Sequence, residues 1–375
     1  MAGCYVHIPF CKQKCIYCSF YSTSQLKWMD AYIEALLLEI QYRKESFTDT
    51  PFSTLYIGGG SPSLLSIEQL QTIVNQLYNS FSFDKNIEFT IELNPEQVTR
   101  EYLVGLKQVG VNRVSFGVQS FQNHILKYLG RIQTAEQAVD AIKCAHEIGF
   151  EHISIDLIYA IQERRDTDWQ HDLDTAFSLP IEHLSAYSLT IEENCKLYKQ
   201  LKNKELNNPD ENISLQDYSE LQQAVHRHGF LQYEISNYCK NRAFSQHNSN
   251  YWTLQPYIGL GASAHSYNGK ERQWNIADNA AYIYAMQNKK CCWEKEELDI
   301  STRYNEYIML GLRTIKGVDM QYIKAQFGSK YLTHFEKSLT KVLPLFYTKK
   351  GSIVKLSPGG FLIADNIITK LFDDQ

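Results

Sequence analysis

Two rhythms of apolar and polar positions alternate along the first half of the chain. Short apolar runs rich in β-branched and aromatic residues fall at 3–8, 54–58, 87–93, 113–117, 152–157 and 183–189, a pattern that predicts strands. Between them, apolar residues recur with a period of about 3.6 at 28–42, 67–80, 99–109, 134–148 and 167–179, which predicts helices. In the first of these, Trp28, Tyr32, Leu36 and Ile40 share one face, and Glu34 and Glu39 are expected on the surface. Six strand–helix repeats joined by right-handed crossovers predict an α/β fold. Its parallel sheet curls into a partial (β/α)6 TIM-like barrel, two repeats short of the eight that close a full barrel. Ligands in such sheets collect at the C-terminal ends of the strands.

The second half has a different texture. Residues 199–214 are polar, with Lys202, Lys204, Asn207, Asn208, Pro209, Asp210 and Asn212, and predict a surface excursion or mobile loop. A helix is expected at 215–228, a strand at 231–235, and an aromatic-rich section reaches residue 283. A further helix at 304–312 precedes a terminal strand pair over 352–363, with Pro358-Gly359-Gly360 as its turn. This tail predicts a small α+β domain of winged-helix type. The expected division is 1–195 for the barrel, 196–300 for a connecting and completing segment, and 301–375 for the C-terminal domain.

Composition narrows the setting. Apolar residues make up 44% of the 375 positions, ample for a core, and no apolar tract is long enough to span a membrane. The start, MAGCYVHIPF, has no basic region ahead of an apolar stretch, so a signal peptide is not expected. Nine cysteines, odd in number and unevenly placed, predict a reducing cytoplasm. The net charge of −5 with mixed signs gives no support for nucleic acid as a partner. The 25 tyrosines are compatible with a large flat ligand, although tyrosines usually line cores and surfaces.

The candidate chemistry begins at Cys11, Cys15 and Cys18, spaced C-x3-C-x2-C on a loop that leaves the first strand. Thiolates crowded on one loop suit a soft metal or an iron–sulfur core. A zinc knuckle needs a nearby fourth ligand and a disulfide needs an oxidising compartment, and neither is offered here. Three ligands leave one iron of a cluster with an open position. Four further strand ends are polar or glycine-rich. The second opens into Gly58-Gly59-Gly60-Ser61, whose backbone a ligand can approach closely. The third carries Glu92 inside an apolar run, where a carboxylate needs a partner, unless it simply faces solvent. The fourth ends near Gln119, with Arg131 beyond it, and the fifth carries Asp156.

The cysteine spacing, with Tyr17 before the last cysteine, resembles the signature of the radical S-adenosylmethionine (SAM) superfamily. The longer string from Tyr5 through Phe10 to Cys11 resembles the oxygen-independent coproporphyrinogen III oxidases and their relatives. The resemblance implies a [4Fe-4S] cluster on Cys11, Cys15 and Cys18 whose open iron chelates SAM, and an electron that cleaves the sulfonium. It assigns Gly59, Gly60 and Ser61 to the methionine amino group, with serine where the family has threonine. It assigns Tyr5, Tyr17, Glu92, Gln119, Arg131 and Asp156 to contacts with one or two SAM molecules. The string His247-Asn248-x-x-Tyr251-Trp252 is similar to a motif of the HemW branch, bacterial haem chaperones that share the oxidase fold. It makes His247 a candidate axial haem ligand, against the plainer reading of a satisfied core histidine, and His265 is a second candidate. Oxidases of the group also carry a cysteine two places after the last cluster ligand, where this chain has Phe20. The implied partners are haem or porphyrin, haem-acceptor proteins and an electron donor. The alternatives are an oxidase acting on coproporphyrinogen propionates, or SAM chemistry on another small substrate.

Overall fold

In the computed structural model, residues 2–47, 51–206 and 209–373 are described. Six strands, β1 (Ala2–Ile8), β2 (Phe52–Gly59), β3 (Phe83–Leu93), β4 (Arg113–Gln119), β5 (His152–Tyr159) and β6 (His183–Ser188), pair in parallel in chain order. They alternate with helices α1 (Met29–Tyr42), α2 (Ile67–Ser80), α3 (Arg100–Val109), α4 (Asn123–Tyr128), α5 (Ala135–Ile148) and α6 (Asp168–Ser178). Local chemistry starts several of these helices. Ser66 and Thr134 form reciprocal capping boxes with Gln69 and Gln137, and Thr99 caps α3. The expected α/β half-barrel is present.

The alternation along each strand sorts two environments. Cys4, Val6 and Ile8, Leu55 and Ile57, Phe89 and Ile91, Val114 and Phe116, and Ile153 and Ile155 join the core under the helices. The intervening positions face the concave side and are polar or aromatic: Tyr5 and His7, Thr54 and Tyr56, Glu88, Thr90 and Glu92, Arg113 and Ser115, Ser154 and Asp156, His183 and Ser185. A closed eight-stranded barrel fills its interior with aliphatic side chains. This open one is lined with hydrogen-bonding groups.

After β6 come α7 (Lys196–Lys202) and α8 (Glu211–Arg227), so helix occupies both flanks of the expected excursion at 199–214. Asn207 and Asn208 of that stretch lie outside the described residues. The next segment extends the sheet at both edges. β8 (Asn237–Cys239) adds antiparallel to β6, and β7 (Leu231–Gln232) adds antiparallel to β8 at the edge. Beyond helix α9 (Gln246–Trp252), strand β9 (Tyr257–Leu260) adds parallel to β1. β10 (His265–Tyr267), β11 (Glu271–Asn275), helix α10 (Asn279–Gln287) and β12 (Trp293–Glu297) follow, giving this sheet twelve strands among the described residues.

Glu39 is the clearest departure from expectation: it is fully buried. It falls on the same helical stripe as Tyr32, Leu36 and Ile40, which packs against the added strands and not against water. Its carboxylate accepts from Gly261 N at 2.7 Å, Tyr282 Oη at 2.6 Å and Asn275 Nδ2 at 2.8 Å. Arg43 sits 3.5 Å away and donates to the Gly259 carbonyl at 3.0 Å. The pair therefore pins α1 to the β9–β10 turn.

The C-terminal domain has its own core around Tyr304, Ile308, Phe335 and Ile367. Its elements are α11 (Ile300–Leu312), β13 (Val318–Asp319), α12 (Met320–Phe327), α13 (Ser329–Leu339), β14 (Tyr347–Lys350), β15 (Ile353–Leu356), α14 (Pro358–Leu362) and α15 (Ala364–Leu371). The three strands form an antiparallel sheet in the order β13-β15-β14, as a winged-helix domain requires. The strand pair lies earlier than expected, over 347–356 and turning at Gly351. Pro358-Gly359-Gly360 instead opens a helix, because Ser357 caps it by accepting from Gly360 N at 3.2 Å and proline suits the first helical position.

Replacing Glu39 with alanine leaves Arg43 as a buried, uncompensated charge. Glu39→Ala is expected to lower stability by about 3–5 kcal/mol, read as a large fall in the urea midpoint, and a shift within error would contradict the buried network.

Candidate cofactor site at the barrel mouth

The loop after β1 is locked to the loop after β2 by main-chain contacts. Gly60 N donates to the Ile8 carbonyl at 2.9 Å, and Ser61 N to the Phe10 carbonyl at 2.7 Å. A Cβ on Gly60 would stand 2.6 Å from Phe10 O and 3.0 Å from Cys11 Sγ. Gly59 has φ of +116°, and a Cβ there would stand 2.6 Å from the His7 ring. On its other side the cysteine loop is held by Ile16 N on the Leu129 carbonyl at 3.1 Å and Leu197 N on the Ile16 carbonyl at 2.9 Å. Four chain segments thus fix where the three thiols sit.

These loops surround a cavity of about 450 Å³ at the C-terminal ends of the strands, within the ordinary range for small-molecule sites. Cys11, Cys15 and Cys18 line it together with Tyr17, Gly59, Gly60, Ser61, Glu92, Gln119, Arg131 and Asp156. Eleven of the fourteen candidate site residues named from the sequence, all but Tyr5, His247 and His265, therefore meet in one place. All three thiols are free, and burial holds those of Cys11 and Cys18 above their ordinary range. Among the described residues no three Cys, His, Asp or Glu side chains converge as ligands of a single ion do. Three thiols line one cavity, the donor type that a polynuclear core takes. The cavity of about 450 Å³ beside them gives such a core room, so donor set and space both fit an iron–sulfur cluster.

The polar groups are arranged around that space. Glu92 accepts from Tyr56 Oη at 2.7 Å and from Gly59 N at 2.9 Å, and among the described residues no cation pairs with it. Burial pushes its carboxyl up to about 7, and pushes Asp156 up to about 6. Arg131 donates to Asn94 Oδ1 at 2.9 Å, to the Gly117 carbonyl at 2.7 Å and, at 3.7 Å, to Cys15 Sγ. Asn94 donates in turn to Ser61 Oγ at 2.6 Å. Gln119 has φ of +69°, an uncommon conformation for a non-glycine residue at a strand end. Two buried carboxylates, neither held in an ion pair among the described residues and only Asp156 feeling the Arg131 charge, face a pocket with three thiols and suit a positively charged ligand.

Three sequence candidates lie elsewhere, His265 among them on β10. Tyr5 stands behind the cavity wall and donates to His7 Nδ1 at 2.9 Å, while His7 Nε2 donates to the Tyr21 carbonyl at 3.0 Å. His247 is 1% exposed at the opposite end of the strands, its Nδ1 2.8 Å from Thr54 Oγ1 and its Nε2 2.8 Å from Tyr251 Oη. Both ring nitrogens are engaged, as in the plainer reading of a satisfied core histidine. The structure adds Asn94 and Tyr187 to the cavity wall. Tyr187 follows Ser185 on the concave side of β6, so the alternation of that strand was the signal that could have found it.

The sequence model described as the radical SAM superfamily matches residues 5–176. The chain is 34% identical over 334 residues to heme chaperone HemW of Bacillus subtilis, covering 88% of this chain and 87% of that protein. It is 32% identical to heme chaperone HemW of Lactococcus lactis, covering 99% of this chain and 97% of that protein. Among solved structures it is similar to coproporphyrinogen III oxidase (HemN) from Escherichia coli, with a TM-score of 0.87 at 22% identity over 100% of this chain and 90% of that one. That last likeness concerns the fold.

Gly60→Ala is expected to cut the iron and sulfide taken up on anaerobic reconstitution to well under half without changing the circular dichroism of the chain; full loading would contradict the close approach at Gly60. A second expectation concerns pH. Glu92 holds its proton more tightly when folded than when unfolded, so its contribution to stability is present at low pH and is lost as pH rises from about 4.5 through about 7. The stability of the cofactor-free protein relative to Glu92→Gln should therefore fall between pH 5 and pH 8, measured by thermal unfolding of both; a difference independent of pH would contradict the raised carboxyl.

Proposed function

The chain belongs to the radical SAM superfamily and, within it, to the HemW family of haem chaperones, and from that membership we propose that it binds haem and delivers it to acceptor proteins. The observation that carries this reading is the near full-length likeness to proteins of that name. The fold alone does not separate a chaperone from an oxidase, because the HemN structure shares it. Phe20 favours the chaperone. It stands where the oxidases of the sequence resemblance carry a further cysteine, and it is 69% exposed on the lip of the cavity. A phenyl ring there can neither ligate a metal nor exchange electrons as a thiol does.

In this proposal Cys11, Cys15 and Cys18 hold a [4Fe-4S] cluster, and the cavity beside it takes SAM. When bound, the cluster with SAM supplies a one-electron route to cleavage of the sulfonium. The chain's own contribution is placement. Gly59 and Gly60 bring main chain against the ligand, Ser61 and Asn94 present polar groups at its edge, and Glu92 and Asp156 face it with carboxylates. A cationic ligand favours the ionised form of both acids, so binding releases protons from groups that burial holds partly protonated. Arg131 ties the cysteine loop to β4 through Cys15 and Gly117.

Of the two candidate haem ligands, His265 is the one that haem can reach. It is exposed on β10, with its ring 6.2 Å from that of Trp274, whereas His247 is enclosed. The exposed face of the cysteine loop carries Lys12, Lys14 and Phe20, and no acid occurs between residues 1 and 29. That surface suits an electron donor with an acidic face. All nine cysteines are unpaired, and no helix among the described residues is long and apolar enough to cross a membrane. These features support a cytoplasmic site of action. The proposed division is 1–195, 196–300 and 301–375, with the middle part completing the sheet.

Anaerobically reconstituted protein is expected to bind haem stoichiometrically and to form no protoporphyrinogen from coproporphyrinogen; robust turnover would overturn the chaperone reading. His265→Ala is expected to shift the absorption spectrum of bound haem, and an unshifted spectrum would place the ligand elsewhere.

A further inference from the structure

His247 is far from the thiols, yet an unbroken set of contacts leads from its ring to the cavity. Glu88 fixes its main chain from β3, accepting from Gln246 N at 3.0 Å and from His247 N at 2.8 Å. Thr54 and Tyr251 then hold the two ring nitrogens, so the imidazole cannot turn. Its face stacks on the ring of Tyr56, with centroids 4.9 Å apart and planes inclined by 26°. Tyr56 Oη donates to Glu92 Oε1, and the other oxygen of Glu92 accepts from Gly59 N. A second branch is looser: the Tyr5 ring lies 6.3 Å from His247 and donates through its hydroxyl to His7, against which Gly59 packs.

These contacts have a directional logic. Among the described residues no cation pairs with Glu92, and the two hydrogen bonds from Tyr56 and Gly59 set where the carboxylate points. One of them comes from a hydroxyl at the end of a ring, and the position of that ring is set from below by the imidazole. Removing the imidazole opens a space beneath Tyr56, into which the ring can settle and draw its hydroxyl away from Glu92. Burial keeps the imidazole neutral, and it sits in the barrel floor as a flat, fixed shim.

We propose that His247 is a positioning residue for the SAM site, acting through Tyr56 on Glu92 and Gly59. The inference rests on the proposed placement of SAM beside Glu92, and it gives the His-Asn-x-x-Tyr-Trp string a role other than haem ligation. The test is SAM affinity, by equilibrium dialysis of labelled SAM with anaerobically reconstituted protein, and the absorption spectrum of bound haem on the same samples. Glu92→Gln is expected to weaken SAM at least tenfold, and no effect there would remove the placement on which the inference rests. With that control in place, Tyr56→Phe and His247→Ala are each expected to weaken SAM about fivefold to tenfold. The double variant should weaken it no further than the stronger single, because both act through one path. The iron content and the haem spectrum should stay unchanged.

Unchanged SAM affinity in either single variant, or fully additive losses in the double, would overturn the inference while leaving the site reading intact. A lost haem spectrum with unchanged SAM affinity in His247→Ala would restore the histidine as a haem ligand and overturn it too. Should His247→Ala fail to fold, His247→Gln, which keeps a donor and an acceptor but no ring to stack, carries the same expectations and the same refutations.

Discussion

The site depends on how closely two main chains approach each other at the mouth of the half-barrel. Parallel pairing of β1 with β2 runs past the end of the sheet as two more hydrogen bonds, Gly60 N to Ile8 and Ser61 N to Phe10. Because of them, the cysteine loop starts from a fixed point. Any side chain at residue 60 would have to push that loop away. The spacing of the three thiols, the position of Ser61 and the room left for a cluster all descend from this contact. It is a backbone constraint first and a chemical site second.

Around it, the open barrel makes a particular compromise. An interior lined with Tyr56, Glu92, Asp156 and Ser185 gains little from burial, and its carboxylates sit above their usual range because burial withholds water from them, an effect the Arg131 charge offsets only in part at Asp156. Stability comes from the other side of the sheet, where the aliphatic halves of the same strands pack on the helices. The concave face is thereby free to be polar. A site for a cationic ligand can be built there without weakening the core, because period-two alternation keeps the two demands on different atoms.

The sequence was most legible where one local rule acted alone. Six strands and the helices between them follow from apolar periodicity, and the three cysteines and the glycine run follow from spacing. Eleven candidates meet at one cavity because strand C-termini converge in this fold class. Legibility failed where two parts distant in sequence decide a residue's surroundings. Glu39 reads as a surface glutamate until the β9–β10 turn, more than two hundred residues later, arrives to receive it. Of the added strands only the one expected at 231–235 signals itself, and it is cut to Leu231–Gln232; the others, three to five residues long, are too short to show by alternation. Pro358 reads as a turn or as a helix start, and the serine before it decides for the helix. His247 reads equally as a haem ligand or as a satisfied core histidine from the string around it, and Tyr56, distant in sequence, joins Tyr251 to enclose it.

A sheet of twelve strands that does not close has two free edges, and bare edges invite pairing with another chain. On one side the edge is β7, too short to offer a ladder of more than two residues. On the other it is β12, whose residues Glu294, Lys295, Glu296 and Glu297 are all exposed. An identical strand drawing alongside would bring acid against acid and strip water from charged side chains. The protein can therefore keep its cavity open by leaving the barrel unfinished, without its rims acting as seeds for fibrous stacking.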